Sequence, residues 1–325
     1  MLARVAANFY WMGRYLERTK QTIRLVRYPL DRLVDRTAGE IAVAWEVVYR
    51  TLGQTPPDAP ESRAEAEMFL MTDAYTLAGS LIEETANPES IVSCWNVARE
   101  NARQVRSHLP LPVWTCLNQG FLWMRDIDLP TAWRSGPSAL AGEASDRLRH
   151  LSGVMDALMY RDDGWRFMVL GRFIERVQHQ AAFLGAWVEL GRRERGEAAL
   201  PWADLLRICG AYEVYSRRYS MQVRQEQVLV FLVQDPELPR SLRFSMHLIE
   251  EMLAGIDAAG ARYPLAPPHR MALRLAAALE VENLDGERGR DSVRFFRSIA
   301  NECRRLHELA VAAYLEFPFA AGQET

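Results

Sequence analysis

The side chains best placed for chemistry stand in two short windows, Gly13-Arg-Tyr-Leu-Glu-Arg18 and Gly171-Arg-Phe-Ile-Glu-Arg176. On a helix, residues four apart share a face. Gly13 therefore lies beside Glu17 and Arg14 beside Arg18, and Gly171, Arg172, Glu175 and Arg176 repeat the arrangement. A glycine inside a helix costs about 1 kcal/mol relative to alanine, so each one asks for a packing reason. The reason offered here is close approach of another helix, or of a ligand, beside the carboxylate. Two readings of the glutamates follow. In the first, each pairs with an arginine across a helix interface, reciprocally between the windows, because buried carboxylates need such partners. In the second, Glu17 and Glu175 form a pair of carboxylates flanked by arginines in a central cleft, suited to an amine, a metal or an anionic ligand. If the windows pack about a twofold axis, Gly13, Glu17, Gly171 and Glu175 lie near it, with Arg18 and Arg176 as partners.

Paired glutamates on equivalent helices invite comparison with di-iron bundles, which need Glu-x-x-His on two helices. None of the six histidines has a glutamate three residues before it. No metal and no cofactor is therefore expected. Arg99, Asn101 and Arg103 put a polar patch on one helix, read either as a solvated face with local pairs or as a surface turned toward the glutamates. Tyr212, Tyr215, Arg218, Tyr219 and Arg224 form an aromatic and basic stripe, read either as packing with extended arginines or as a peptide or nucleotide surface. Arg218, together with Arg240, joins the candidate binding set. There is no glycine-rich phosphate loop, no G-x-S-x-G elbow and no H-E-x-x-H.

The elements that must hold these residues are helical. Leu2, Val5, Phe9, Met12, Leu16, Ile23 and Val26 make one stripe at steps of three and four, with Thr19 as its only polar interruption, before Pro29 ends or kinks the helix. Phe167, Leu170, Ile174, Val177, Ala181 and Leu184 repeat that stripe 158 residues later in the same phase. Asn87-Pro88-Glu89 and Asp235-Pro236-Glu237 each read as a helix start: polar cap, proline, then an acid in the first turn. Further helices are expected over 38–53, 61–86, 113–126, from the Gly136-Pro137 turn to about 161, after Pro201, and over 269–282 and 290–316. Gly191 to Gly196 reads as an exposed linker. The expected fold is all-α, a multi-helix bundle of two divergent repeats, 1–135 and 136–325, forming one unit.

The net charge of −3 makes no electrostatic case for nucleic acid or an anionic membrane. Four scattered cysteines suit a reducing compartment, and no apolar run is long enough for a leader or a span. The expectation is a cytoplasmic protein.

Several blocks in this order resemble the alpha-E family of bacterial helical proteins with an ER motif. They are Asn8-Phe-Tyr-Trp-Met-Gly-Arg-Tyr-Leu-Glu-Arg18, Asn87-Pro-Glu-Ser-Ile-Val-Ser-Cys94, Arg99-Glu-Asn-Ala-Arg103, the 171–176 window, and Phe231-Leu-Val-Gln-Asp-Pro-Glu-Leu-Pro-Arg-Ser241. The stretch 53–67 departs from it and reads as an insertion. The resemblance implies a context: a circularly permuted ATP-grasp amidoligase-like protein, a transglutaminase-like peptidase and a proteasome-like hydrolase as partners, in making or trimming peptide or isopeptide bonds. It carries over no catalytic residues. Two functions are therefore expected: an accessory helical subunit of that system, or an enzyme with a Glu/Arg site between the repeats.

Overall fold

A computed structural model of the chain describes residues 1–33, 35–57, 73–136, 138–193, 200–219, 222–260, 265–282 and 289–316. Among them there are fourteen α-helices and no strand. Two are long, α1 (Ala3–Leu30) and α8 (Asp163–Arg193), and they carry the two windows. The others are α2 (Ala38–Leu52), α3 (Ala74–Ile82), α4 (Ile91–Gln104), α5 (Leu111–Arg125), α6 (Leu129–Ser135) and α7 (Ala139–Leu158). After α8 come α9 (Trp202–Ile208), α10 (Tyr212–Arg218), α11 (Gln225–Gln234), α12 (Leu242–Ala259), α13 (Pro267–Val281) and α14 (Gly289–Ala310). Among the described residues no helix is long and apolar enough to cross a membrane.

α1 and α8 lie side by side at the centre and run in the same direction. The chain's amino group approaches Asp163 at 4.0 Å, Glu17 meets Arg176 further along, and Tyr28 packs on Trp187 near the far end. Around this pair, α4 and α7 pack on α1, α12 and α14 pack on α8, and α2 touches both. The apolar stripes explain the placement: Phe9, Met12, Ile23 and Val26 are buried on one helix, and Leu170, Ile174, Val177 and Leu184 on the other. A helix with apolar residues on several faces must be surrounded, and these two are. The buried core is continuous, and α7 packs on both α1 and α5, so packing crosses residue 135.

Local signals set most of the boundaries. Thr37 and Glu40 form a reciprocal capping box at the start of α2, and Gly53 ends it with φ of 65°, a left-handed turn that favours glycine. Pro29 stands one residue from the end of α1, as its ring requires. Two expected helix starts are displaced. Asn87 Oδ1 accepts from Glu89 N at 3.0 Å and closes a turn, while Ser90 caps α4 by accepting from Ser93 N. Asp235 Oδ1 likewise accepts from Glu237 N and Leu238 N, and Ser241 caps α12 through Phe244 N at 2.9 Å. The same side-chain oxygen can serve an Asx turn or an N-cap, so the motif points one turn early. Gly191 to Arg193 belong to α8 rather than to a linker. Of the segment 61–86, only 73–86 is described, and most of 53–67, Pro137 and residues 194–196 lie outside the described residues.

Candidate functional site

Where α1 and α8 cross, their backbones touch through the two glycines. A Cβ on Gly13 would stand 2.0 Å from the carbonyl oxygen of Met168, and one on Gly171 would stand 2.2 Å from that of Tyr10. Each glycine thus meets the residue three positions before the other. This close approach brings the charged groups of each window within reach of the opposite helix.

Arg176 grips Glu17 with one edge of its guanidinium, Nε to Oε1 at 2.7 Å and Nη2 to Oε2 at 2.9 Å. In the opposite sense, Glu175 accepts from Arg14 Nε at 2.6 Å and Arg18 Nε at 2.6 Å. Each glutamate also meets the residue four positions on in its own helix, Gln21 for Glu17 and His179 for Glu175. Glu17 is 2% exposed and Glu175 1%. The reciprocal pairing is present, with Arg18 and Arg176 as the expected partners and Arg14 as a third. Of the remaining donors, Arg14 Nη2 gives to Gln178 Oε1, Arg18 Nη1 to Glu89 Oε1, and Arg176 Nη1 to the carbonyl of Pro239, while Arg14 Nη1 is buried without an acceptor.

Burial alone would raise the glutamates, but the guanidiniums win. Arg176 holds Glu17 well below the usual carboxylate range, and Arg14 with Arg18 does the same for Glu175. Both stay ionised, so neither is a proton acceptor near neutral pH. The space beside Gly13, Glu17 and Lys20 is about 20 Å³, room for about one water molecule. The centre is a closed four-residue charge cluster with Arg14 attached, not an open cleft.

The other predicted residues do not join it. Arg99 turns to α5, donating to Asn118 Oδ1 at 2.8 Å and lying over the rings of Phe121 and Trp114. Asn101 donates to Val97 O in its own helix, and Arg103 pairs with Glu100 on the surface. Arg218 pairs with Asp235, and Tyr215 of the aromatic stripe is core. Arg172 stands 3.9 Å from Glu17 at the edge of the cluster. Arg240 faces a separate cavity with Lys20 and Arg24, two cations that belong to no sequence motif. The larger cavity, about 730 Å³, lies between α4, α5 and the 83–88 turn, lined in part by Tyr15, Trp95 and Phe121.

Burial raises the thiols of Cys94 and Cys303 to about 12, which leaves them protonated and unreactive at neutral pH. His307 accepts or donates with Tyr10 OH at 2.7 Å, and burial lowers it to about 4. Asp257 joins His269 and Tyr314, tying α12, α13 and the C-terminal π turn (Val311–Leu315). No sequence spacing announces either contact. Among the described residues, no group of three or more His, Cys, Asp or Glu side chains is placed to hold a metal ion.

A family model, Alpha-E, described as a predicted alpha-helical domain with a conserved ER motif, matches residues 1–315. Uncharacterized proteins of Mycobacterium bovis and Mycobacterium tuberculosis strain CDC 1551 are each 27% identical, and one of strain H37Rv is 26% identical. The matches cover 97% of this chain and 37% of each relative, so the chain spans little more than a third of the length of these relatives. No solved structure matches the chain.

Proposed function

From the premise that this chain belongs to the Alpha-E family, we propose that it is a non-catalytic helical subunit of a bacterial system that makes or modifies peptide or isopeptide bonds. Its partner in that reading is a circularly permuted ATP-grasp amidoligase-like protein, with a transglutaminase-like peptidase and a proteasome-like hydrolase in the same system. One observation carries the reading. The two carboxylates best placed for catalysis are neutralised by Arg14, Arg18 and Arg176 and shut away from solvent, so the ER motif builds a scaffold. The length of the mycobacterial relatives supports it too, because in them this helical unit is one part of a longer chain. The two ER helices descend in this reading from one duplicated helix, a history supported by their reciprocal glycine contacts.

Co-expression with the ATP-grasp protein tests the proposal. A complex that survives size-exclusion chromatography, and ligase turnover that depends on the helical chain, are the expected results. No complex and unchanged turnover would sink it.

A further inference from the structure

Between α1, α7 and the turn before α12 lies a cavity of about 480 Å³. Its walls carry Lys20, Arg24 and Arg27 from α1, Arg149 from α7, Arg207 from α9 and Arg240 from the turn. The more exposed of these are paired: Arg27 with Asp31, itself a lining carboxylate, Arg149 with Asp146, and Arg207 with Asp204, which also holds the lining Arg32. Three are not so paired. Lys20 and Arg240 make no hydrogen bond or ion pair among the described residues. Arg24 reaches Gln180 Oε1 at 3.2 Å through Nη2, while its Nε and Nη1 are buried without an acceptor.

The imbalance comes from the way the two ER helices differ. On the Glu175 side, Gln178 takes one spare donor of Arg14 and Glu89 one of Arg18, which leaves only Arg14 Nη1 of these two side chains buried without an acceptor. The residue matching Gln178, 158 positions earlier, is Lys20, the chain's single lysine. It adds a charge where its counterpart supplies an acceptor. Arg172 is left on that side with a buried Nε that has no hydrogen bond. Burial and then the surrounding charges weaken these cations. Lys20 is pushed down to about 8, with Glu17 pulling it up and Arg176, Arg172 and Arg240 pushing it down, and Arg24 is pushed down to about 10 by burial and Arg240. Cations withdrawn from water without counter-charge are costly, so a fold that gathers them needs an anion to balance them.

Lys20, Arg24 and Arg27 stand at i, i+4 and i+7, a cationic line about 10 Å long on one helix face. Arg240 sits across from it. We propose that this cavity binds a linear phosphate polyanion, the diphosphate or triphosphate group of a small molecule. A single carboxylate would offset one of three unpaired cations. Adjacent phosphoryl groups bring several charges into a volume of this size, and each arginine fork can take two of their oxygens. The proposal stands whether or not the ATP-grasp protein binds.

Calorimetric titration and thermal melting of the whole chain with inorganic pyrophosphate, at fixed ionic strength, test it. Millimolar pyrophosphate should bind and raise Tm, while sulfate and citrate at the same concentration leave Tm in place. Lys20→Met and Arg240→Gln should each weaken pyrophosphate binding by about tenfold or more. Both variants should also melt higher than the parent without anion, since each removes an unpaired cation, so loss of fold cannot imitate loss of the site. No binding of pyrophosphate, an equal response to sulfate or citrate, or variants that bind like the parent would overturn the assignment.

Discussion

A carboxylate taken out of water survives as an anion only where its desolvation is repaid locally, and Glu17 and Glu175 show how few atoms that takes. Two N–H groups of one guanidinium and one amide enclose Glu17. Glu17→Gln keeps the shape and removes the charge, leaving Arg176 buried without its counter-ion. The expected loss is about 3–5 kcal/mol at pH 7, read from urea unfolding. A loss below about 1 kcal/mol would mean that the pair does not hold the helices together. The same residue sets an acid limb. Because its folded pKa is depressed, its contribution is present above the unfolded value near ~4.3 and is lost as pH falls further toward the folded value. Stability should therefore drop below about pH 4 in the parent, and the Glu17→Gln variant should show a shallower drop over the same range. Sequence reasoning reaches Glu17, Glu175, Arg18 and Arg176 because their spacing repeats. It passes over Lys20 and Arg24 because a lone cation on a helix reads as solvated. What closes over them is Arg240, brought there by the fold from far along the chain.

At the scale of elements, the contact between α1 and α8 rests on the absence of two Cβ atoms. The carbonyls of Met168 and Tyr10 occupy the space that an alanine would need, and backbone cannot rotate away as a side chain can. Gly13→Ala and Gly171→Ala should each destabilise by at least the upper part of the roughly 1–3 kcal/mol range for overpacking. Gly142 in α7 has open space where a Cβ would stand, with nothing within 4 Å of it. Gly142→Ala should be neutral or stabilising by up to about 1 kcal/mol, through helix propensity alone. Chemical denaturation of the three variants in parallel separates close approach from propensity. The long helices are legible because their stripes run for about five turns or more, where one misplaced residue hardly matters. Shorter elements are not. α6 spans only Leu129–Ser135, with Pro130 in its first turn, and seven residues give too little period to recognise. The starts of α4 and α12 slip because Asn87 and Asp235 satisfy amides in a turn as readily as in a cap.

The whole molecule is organised around a helix pair whose members come from opposite halves of the chain. Residues 1–135 expressed alone would leave the face of α1 that meets α8 uncovered, and Arg14, Glu17 and Arg18 without their cross-helix partners. That fragment should lack a cooperative thermal transition by circular dichroism, whereas the full chain should unfold in one step. A fragment that melts cooperatively on its own would show that the halves are separate folding units. One continuous core explains why periodicity alone indicates the fold class: each helix around the central pair needs only one apolar face, and the bundle supplies the rest. Which helix neighbours which is set by long-range pairings: the ER windows announce that of Arg176 with Glu17, whereas that of Asp257 with His269 and Tyr314 carries no local signature.

The cross-helix ion pairs also time the birth of the protein. Arg14 and Arg18 are synthesised about 160 residues before Glu175. At ~5–20 residues per second, translation leaves them waiting roughly ten to thirty seconds. Throughout that interval α1 lacks the apolar face and the counter-charges that α8 supplies, so it settles only once α8 has followed it.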